Sequence, residues 1–136
     1  MGDRDLELLE FHKIREILAG FASFSASQQL ALDLSPLSDE EEVRLLLRQS
    51  AEARRLLSLS PDIHIGEVLD IREVVKMAAR GKVLEPQALL DIQKTLEAAR
   101  RLRAHLMNLS DELPLLSGLA GGIVELDQLK RIFVTA

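Results

Sequence analysis

Histidine, the side chain that most often binds metals or transfers protons, is rare in this sequence, and its copies stand far apart. Its three histidines are His12, His64 and His105, and none of them belongs to an H-E-x-x-H motif. A zinc site needs three or four ligands that converge on one ion. We therefore interpret each histidine as an ordinary surface or boundary residue, and we predict no metal site.

Motifs for covalent catalysis and for phosphate binding are also missing from the 136 residues. The chain has no cysteine, which excludes a thiolate nucleophile, a thiolate metal site and a disulfide framework. Gly81-Lys82 lacks the upstream glycine of a G-x-x-x-x-G-K-[ST] phosphate loop. There is no G-x-G-x-x-G or G-x-S-x-G motif. We predict no catalytic and no cofactor-binding residue in this segment.

One tight basic cluster, formed by Arg100, Arg101 and Arg103, has two interpretations. It can complement the negative C-terminal end of a helix while its aliphatic stems cover leucines. It can also contact the phosphate backbone of DNA or RNA. The chain carries 17 basic and 22 acidic residues, a net charge of −5, with few aromatic residues. This balance favours the first interpretation, and a nucleic-acid contact at these three arginines stays open as the second.

The acidic run Ser38-Asp39-Glu40-Glu41-Glu42 is the clearest signal for the start of a helix. Ser38 fits an N-cap, with Glu41 three residues later to complete a capping box. Carboxylates in a first turn complement the positive end of the helix dipole. That explanation requires no ion, so we prefer it to a site for a hard cation.

Hydrophobic spacing is helical along nearly the whole chain. We predict an all-α fold, a multi-helix array with one long helix, and we treat residues 1–136 as a single helical region. Ser25 and Gln28 fit a second capping box, Glu85-Pro86 an N-cap followed by N1, and Gly81 a C-cap. Residues 63–66 alternate in polarity and suggest a short extended stretch. The predicted helices cover about 4–22, 25–32, 38–59, 70–80, 86–107 and 112–120, with another amphipathic stretch at 125–133.

The two ends of the chain bear on where the protein works. The acidic start, Met1 to Asp5, lacks the basic and apolar regions of a signal peptide. No apolar run approaches the ~20 residues that cross a bilayer, so we expect a cytoplasmic protein without a membrane partner. The last residues before Ala136 are apolar, which suggests a fragment of a larger multidomain protein.

An ordered set of short segments resembles the bacterial MutS2 family, the MutS-like proteins that lack the mismatch-recognition module. The opening, Leu6-Glu7-Leu8-Leu9-Glu10-Phe11-His12-Lys13-Ile14, is similar to the start of that family. The later matching segments lie at 38–43, 52–57, 70–72, 81–84, 89–92, 95–96, 99–102 and 113–116. Together they cover essentially the whole chain, which would then be the N-terminal helical core segment of such a protein.

The resemblance implies a homodimeric parent with core and lever regions, a clamp, a domain that binds ATP and Mg, and a nuclease domain. The parent would be an ATPase and endonuclease that binds DNA, restrains homologous recombination and acts on collided ribosomes. No catalytic motif of the family falls within this segment. Its partners would be the other domains of the same chain, and DNA or the ribosome through the parent.

A free-standing helical protein-interaction module is the alternative. It predicts a native stop at Ala136 and an exposed apolar groove. The reading frame downstream of Ala136 separates the two hypotheses, because a continuing frame with a phosphate-loop motif supports the first.

Overall fold

A computed structural model describes residues 2–126 and residue 131 of the chain, which divides into two compact units. The first unit extends to Glu40 and the second begins at Glu41. In the described residues the regular structure is helical, with seven helices and no strand. This confirms the all-α prediction. The helices are α1 (Asp3–Leu8), α2 (Phe11–Gly20), α3 (Ser25–Leu32), α4 (Glu40–Leu59), α5 (Arg72–Ala79), α6 (Pro86–Asn108) and α7 (Pro114–Ala120).

In the first unit, the single helix that hydrophobic spacing predicts over 4–22 is interrupted and forms two helices, α1 and α2. Glu10 has φ 53° and ψ 35°, a left-handed conformation that interrupts the helix between α1 and α2. Glu10 is also the N-cap of α2, where its side chain pairs with Lys13 at 2.6 Å. The apolar period continues across this point, so the pattern alone does not reveal the break.

Helices α2 and α3 pack together within this unit and are tied by one long side chain. Arg15 on α2 donates a hydrogen bond to the carbonyl oxygen of Leu32 at the end of α3, 3.2 Å away. The predicted capping box at Ser25 and Gln28 is wrong by one residue. Phe24 is the N-cap, and the hydroxyl of Ser27 accepts a hydrogen bond from the Phe24 amide.

Local signals set most helix ends in the second unit. The helix α4 begins at Glu40, one residue after the start that a Ser38 N-cap predicts, and ends at Leu59 as expected. Such one-residue differences at a helix end are ordinary. The N-cap Glu85 and Pro86 at N1 open α6 as predicted. The 23 residues of α6 make it the long helix of the prediction, about 34 Å from end to end.

Gly81 closes α5 as the sequence predicts. Its φ is 76°, in the region that glycine adopts without a steric penalty. The amides of Gly81 and Lys82 bond to the carbonyls of Ala78 and Met77, at 2.9 and 3.1 Å. This is the Schellman arrangement that satisfies the last carbonyls of a helix.

The core of the second unit lies where the C-terminal half of α6 meets α7. Leu113 is fully buried, and Ala98, Leu106 and Ala120 are buried with it. Hydrophobic spacing predicts an apolar stripe on α6 that includes Leu89 and Leu106. Leu106 reaches this core, whereas Leu89 near the other end of the helix is 38% exposed. No helix within residues 2–126 is both long and apolar enough to cross a membrane. The amphipathic stretch predicted at 125–133 lies mostly outside the described residues.

Candidate functional site

The segment between α4 and α5 runs along one side of α6 and is attached to it at both ends. Ser60 Oγ lies 2.9 Å from Nε2 of His105, near the C-terminal end of α6. Ten residues back along α6, Thr95 Oγ1 accepts a hydrogen bond of 3.1 Å from the amide of Leu69. The predicted extended stretch at 63–66 lies within this segment as irregular backbone, without a strand partner among the described residues.

A glycine allows the segment to approach α6 closely at its middle. Gly66 has φ 89°, which other residues rarely adopt. A Cβ atom at this position would lie 3.5 Å from Cβ of Ala98 and 3.5 Å from Nη2 of Arg101. Ala98 is only 1% exposed. The small side chain of Ala98 and the backbone freedom of Gly66 together seat the Arg101 guanidinium against the segment.

The space between residues 59–66 and α6 is a cleft of about 550 Å³, open to solvent. Helix α6 contributes Ala98, Arg101, Leu102 and His105, which share one face because they are spaced by three and four residues. The walls of the cleft are mostly apolar. Its polar groups are the side chains of Ser60, Asp62, His64, Arg101 and His105.

Ser60 and His105 form a hydrogen-bonded pair that resembles part of a nucleophile–base arrangement. Such an arrangement also needs a third group that orients the base through its other nitrogen. In the described part of the chain, the imidazole of His105 makes no hydrogen bond besides the one to Ser60. The pair therefore fits binding better than nucleophilic catalysis.

The three arginines singled out by sequence have different surroundings. Arg100 pairs with Glu97 at 3.0 Å, and Arg103 pairs with Glu125 at 3.1 Å. Arg101 lines the cleft, and its side chain makes no hydrogen bond or ion pair within residues 2–126. The helix turns by about 100° per residue, so Arg101 points about 100° away from Arg100 and about 160° away from Arg103, and the three arginines do not share one face. A nucleic-acid contact by this cluster stays a prediction.

An ion pair flanks the cleft on the side of Gly66. Lys94 on α6 lies 2.7 Å from the carboxylate of Glu67. The hydrogen bond and charge of Lys94 lower the pKa of Glu67, with a smaller contribution from the charge of Arg101. The same pair raises the pKa of Lys94 above its ordinary value. Both side chains are mostly exposed, so their pairing adds little stability.

Glu52 on α4 has a structural role that the sequence does not reveal. Sequence spacing predicts a solvated pairing with Arg55 on the helix surface. Instead, the carboxylate of Glu52 accepts hydrogen bonds from the amides of Leu115 and Leu116, at 3.2 and 2.8 Å. These are two of the unpaired N–H groups of the first turn of α7. Glu52 therefore caps α7 across a separation of more than sixty residues.

Sequence reasoning placed Arg101 on the long helix but missed its neighbours Ser60, Gly66 and His105. The only local signal was the register of Ala98, Arg101, Leu102 and His105 on one face of α6. In the described ranges, no group of three or more histidine, aspartate or glutamate side chains is arranged to hold a metal ion.

Comparison with known proteins gives a consistent set of relatives. The chain is 39% identical over 133 residues to a protein of Thermomicrobium roseum named Endonuclease MutS2. The matched region covers 96% of this chain and 17% of that protein. A protein of the same name from Pelotomaculum thermopropionicum is 30% identical over 96% of the chain. Another, from Symbiobacterium thermophilum, is 38% identical over 88% of the chain. No family model matches the chain. The chain spans 15–17% of the length of these three relatives.

Proposed function

This chain belongs to the MutS2 family as one segment of it, and from this premise we propose that it is the non-catalytic N-terminal core and lever region of a longer MutS-like protein. In this proposal its helices form a stiff scaffold. They transmit conformational changes between distant domains and perform no reaction themselves.

The observation that carries the proposal is the exposure of leucines on long, uninterrupted helices. On α4, a helix of 20 residues, Leu46, Leu47 and Leu57 are 41%, 63% and 59% exposed. The core of the second unit covers only part of α6. Surfaces of this kind commonly mark contacts with further protein. The relatives are far longer than the chain, so we assign these surfaces to other domains of the same polypeptide.

Further properties of the parent protein belong to the same proposal. We expect a cytoplasmic homodimer that binds ATP and Mg in another domain and carries a nuclease domain. Its substrates would be DNA and the ribosome, and its role would be to restrain homologous recombination. The relatives are named Endonuclease MutS2, and this segment contains no phosphate loop. Both observations support chemistry located in another domain.

A helix break in α6 tests whether this segment transmits conformational changes. Ala104 is exposed in the last two turns of α6, so Ala104→Pro interrupts the helix without removing a core side chain. A proline inside a helix costs about 3 kcal/mol or more. In the protein encoded by the complete gene, we expect basal ATP hydrolysis to persist and its stimulation by DNA to be lost.

Two variants serve as controls. Ala104→Ser keeps the helix and should retain the stimulation, while Ala104→Gly, which weakens the helix by about 1 kcal/mol, should reduce it partly. Circular dichroism verifies that each variant is folded. Full stimulation by DNA in folded Ala104→Pro would contradict the role as a lever.

A further inference from the structure

The cleft between residues 59–66 and α6 has the size and lining of a small-molecule site. Its volume of about 550 Å³ lies within the usual range of ligand pockets, roughly 300–1,000 Å³. Leu59, Ile63 and Leu102 provide apolar walls. A few polar groups stand beside these walls, and this combination is typical of ligand sites. The core and lever role proposed above uses none of these groups.

The guanidinium of Arg101 favours a negatively charged ligand in the cleft. A guanidinium carries five N–H donors in a planar fork that matches phosphate and carboxylate oxygens. Arg101 uses none of these donors in a hydrogen bond within the described residues, although its charge acts on Glu67. Its neighbours Arg100 and Arg103 are each paired with a glutamate. Of the three, Arg101 is therefore the arginine available to an oxyanion.

Ser60 and His105 add groups that can bond to the same ligand. Their mutual hydrogen bond of 2.9 Å fixes both side chains at the cleft. A hydroxyl both donates and accepts, and an imidazole has a second nitrogen. His64 bonds through Nδ1 to the carbonyl oxygen of Asp62 at 3.2 Å, which leaves Nε2 for another partner.

The carboxylate of Asp62 favours an organic ester with hydroxyl groups over a simple anion as the ligand of the cleft. Its carboxylate, which accepts hydrogen bonds but cannot donate them, would repel a ligand that is anionic throughout. It suits a ligand whose anionic group meets Arg101 and whose hydroxyl groups lie near Asp62. The apolar walls suit a flat or hydrophobic remainder.

We propose that this cleft binds the phosphate group of an organic phosphate ester, with Arg101 as the principal contact and Ser60 and His105 as supporting contacts. The remainder of the ligand carries hydroxyl groups and an apolar face, as mononucleotides do. The ester is either a free mononucleotide or a nucleotide of a nucleic-acid strand. This proposal does not depend on the role as a lever.

Titration of the isotope-labelled chain with adenosine 5′-monophosphate, followed by NMR, tests the site. We expect the amide signals of Ser60, Gly66 and Arg101 to shift, and adenosine without phosphate to bind at least about tenfold more weakly, because a charge-assisted hydrogen bond is lost. A short oligonucleotide without terminal phosphates forms a separate arm. If it shifts the same signals more strongly than the monophosphate does, the ester belongs to a nucleic-acid strand.

The adjacent arginines supply a matched pair of variants. Arg101→Gln should weaken binding by about tenfold or more, whereas Arg100→Gln removes the same charge one residue away and should change it less than about threefold. Ser60→Ala should cause a smaller loss than Arg101→Gln. Thermal melting of each variant verifies the fold. Equal losses in Arg100→Gln and Arg101→Gln, or no shift at millimolar concentrations of either phosphate ligand, would overturn the proposal.

Discussion

At the scale of single residues, the pair of Glu67 and Lys94 gives this surface a defined pH response. The pKa of Glu67 is lowered by Lys94, so its contribution to stability is present above the usual carboxyl value of 4.5 and is lost as the pH falls through the lower folded value. The pKa of Lys94 is raised. Its contribution is present below the usual amine value of 10.5 and is lost as the pH rises through the higher folded value.

Removal of the amine tests this coupling directly. In Lys94→Met we expect the pKa of Glu67, followed by NMR of its side-chain carboxyl carbon, to rise toward its ordinary value. Lys76→Met breaks the similar pair with Glu73, 2.7 Å apart on α5, and should leave Glu67 unchanged. A Glu67 titration that is the same in the wild type and in Lys94→Met would show that the two side chains are not paired in solution.

The residues of the cleft show why sequence reasoning located only part of the candidate site. Arg101 stood out because it lies in a local cluster of basic residues. Ser60 and His105 are 45 positions apart, and no local pattern indicates that they meet. Their contact depends on the path of the α4–α5 segment along α6, which Gly66 permits through its positive φ. The tertiary path, rather than any motif, assembles the site.

At the scale of helices, the ends that proline and glycine specify were predictable, and ends specified at a distance were not. Pro86 and Gly81 act through their own backbone preferences, so the start of α6 and the end of α5 follow from sequence. The break at Glu10 requires a left-handed conformation in a residue type that does not favour it. The cap of α7 comes from Glu52, which lies on another helix.

Variants of Glu52 should therefore act on α7 rather than on α4. Glu52→Ala leaves two amides of α7 without their partner and should lower the free energy of unfolding by about 1–2 kcal/mol in urea denaturation. Hydrogen exchange at Leu115 and Leu116 should accelerate.

Two conservative variants separate the effect of side-chain length from the effect of charge at position 52. Glu52→Gln keeps an oxygen within reach and should lose less, whereas Glu52→Asp keeps the charge but is too short and should resemble Glu52→Ala. Unchanged exchange at both amides in Glu52→Ala would rule out the cap.

At the scale of the whole molecule, the exposed leucines bear on the proposal that this chain is one part of a longer protein. Leu46 and Leu57 on α4 are separated by 11 residues, slightly more than three full turns, and so lie on one face. Exposed leucines cost a chain little by themselves, but the same side chains stabilise a protein when another surface covers them. Their effect on stability should therefore depend on whether the rest of the polypeptide is present.

The double variant Leu46→Gln with Leu57→Gln measures that dependence. In this chain alone, the free energy of unfolding should change by less than about 0.5 kcal/mol, because both side chains already contact water. In the complete protein, we expect a loss of about 1.5–3 kcal/mol for each leucine that becomes fully buried. Leu113→Ala is the control, since Leu113 is fully buried within this chain and its truncation should cost about 2–5 kcal/mol in either context. Equal effects of the double variant in both contexts would mean that α4 faces solvent in the complete protein, and the scaffold role would then have to rest on α6 alone.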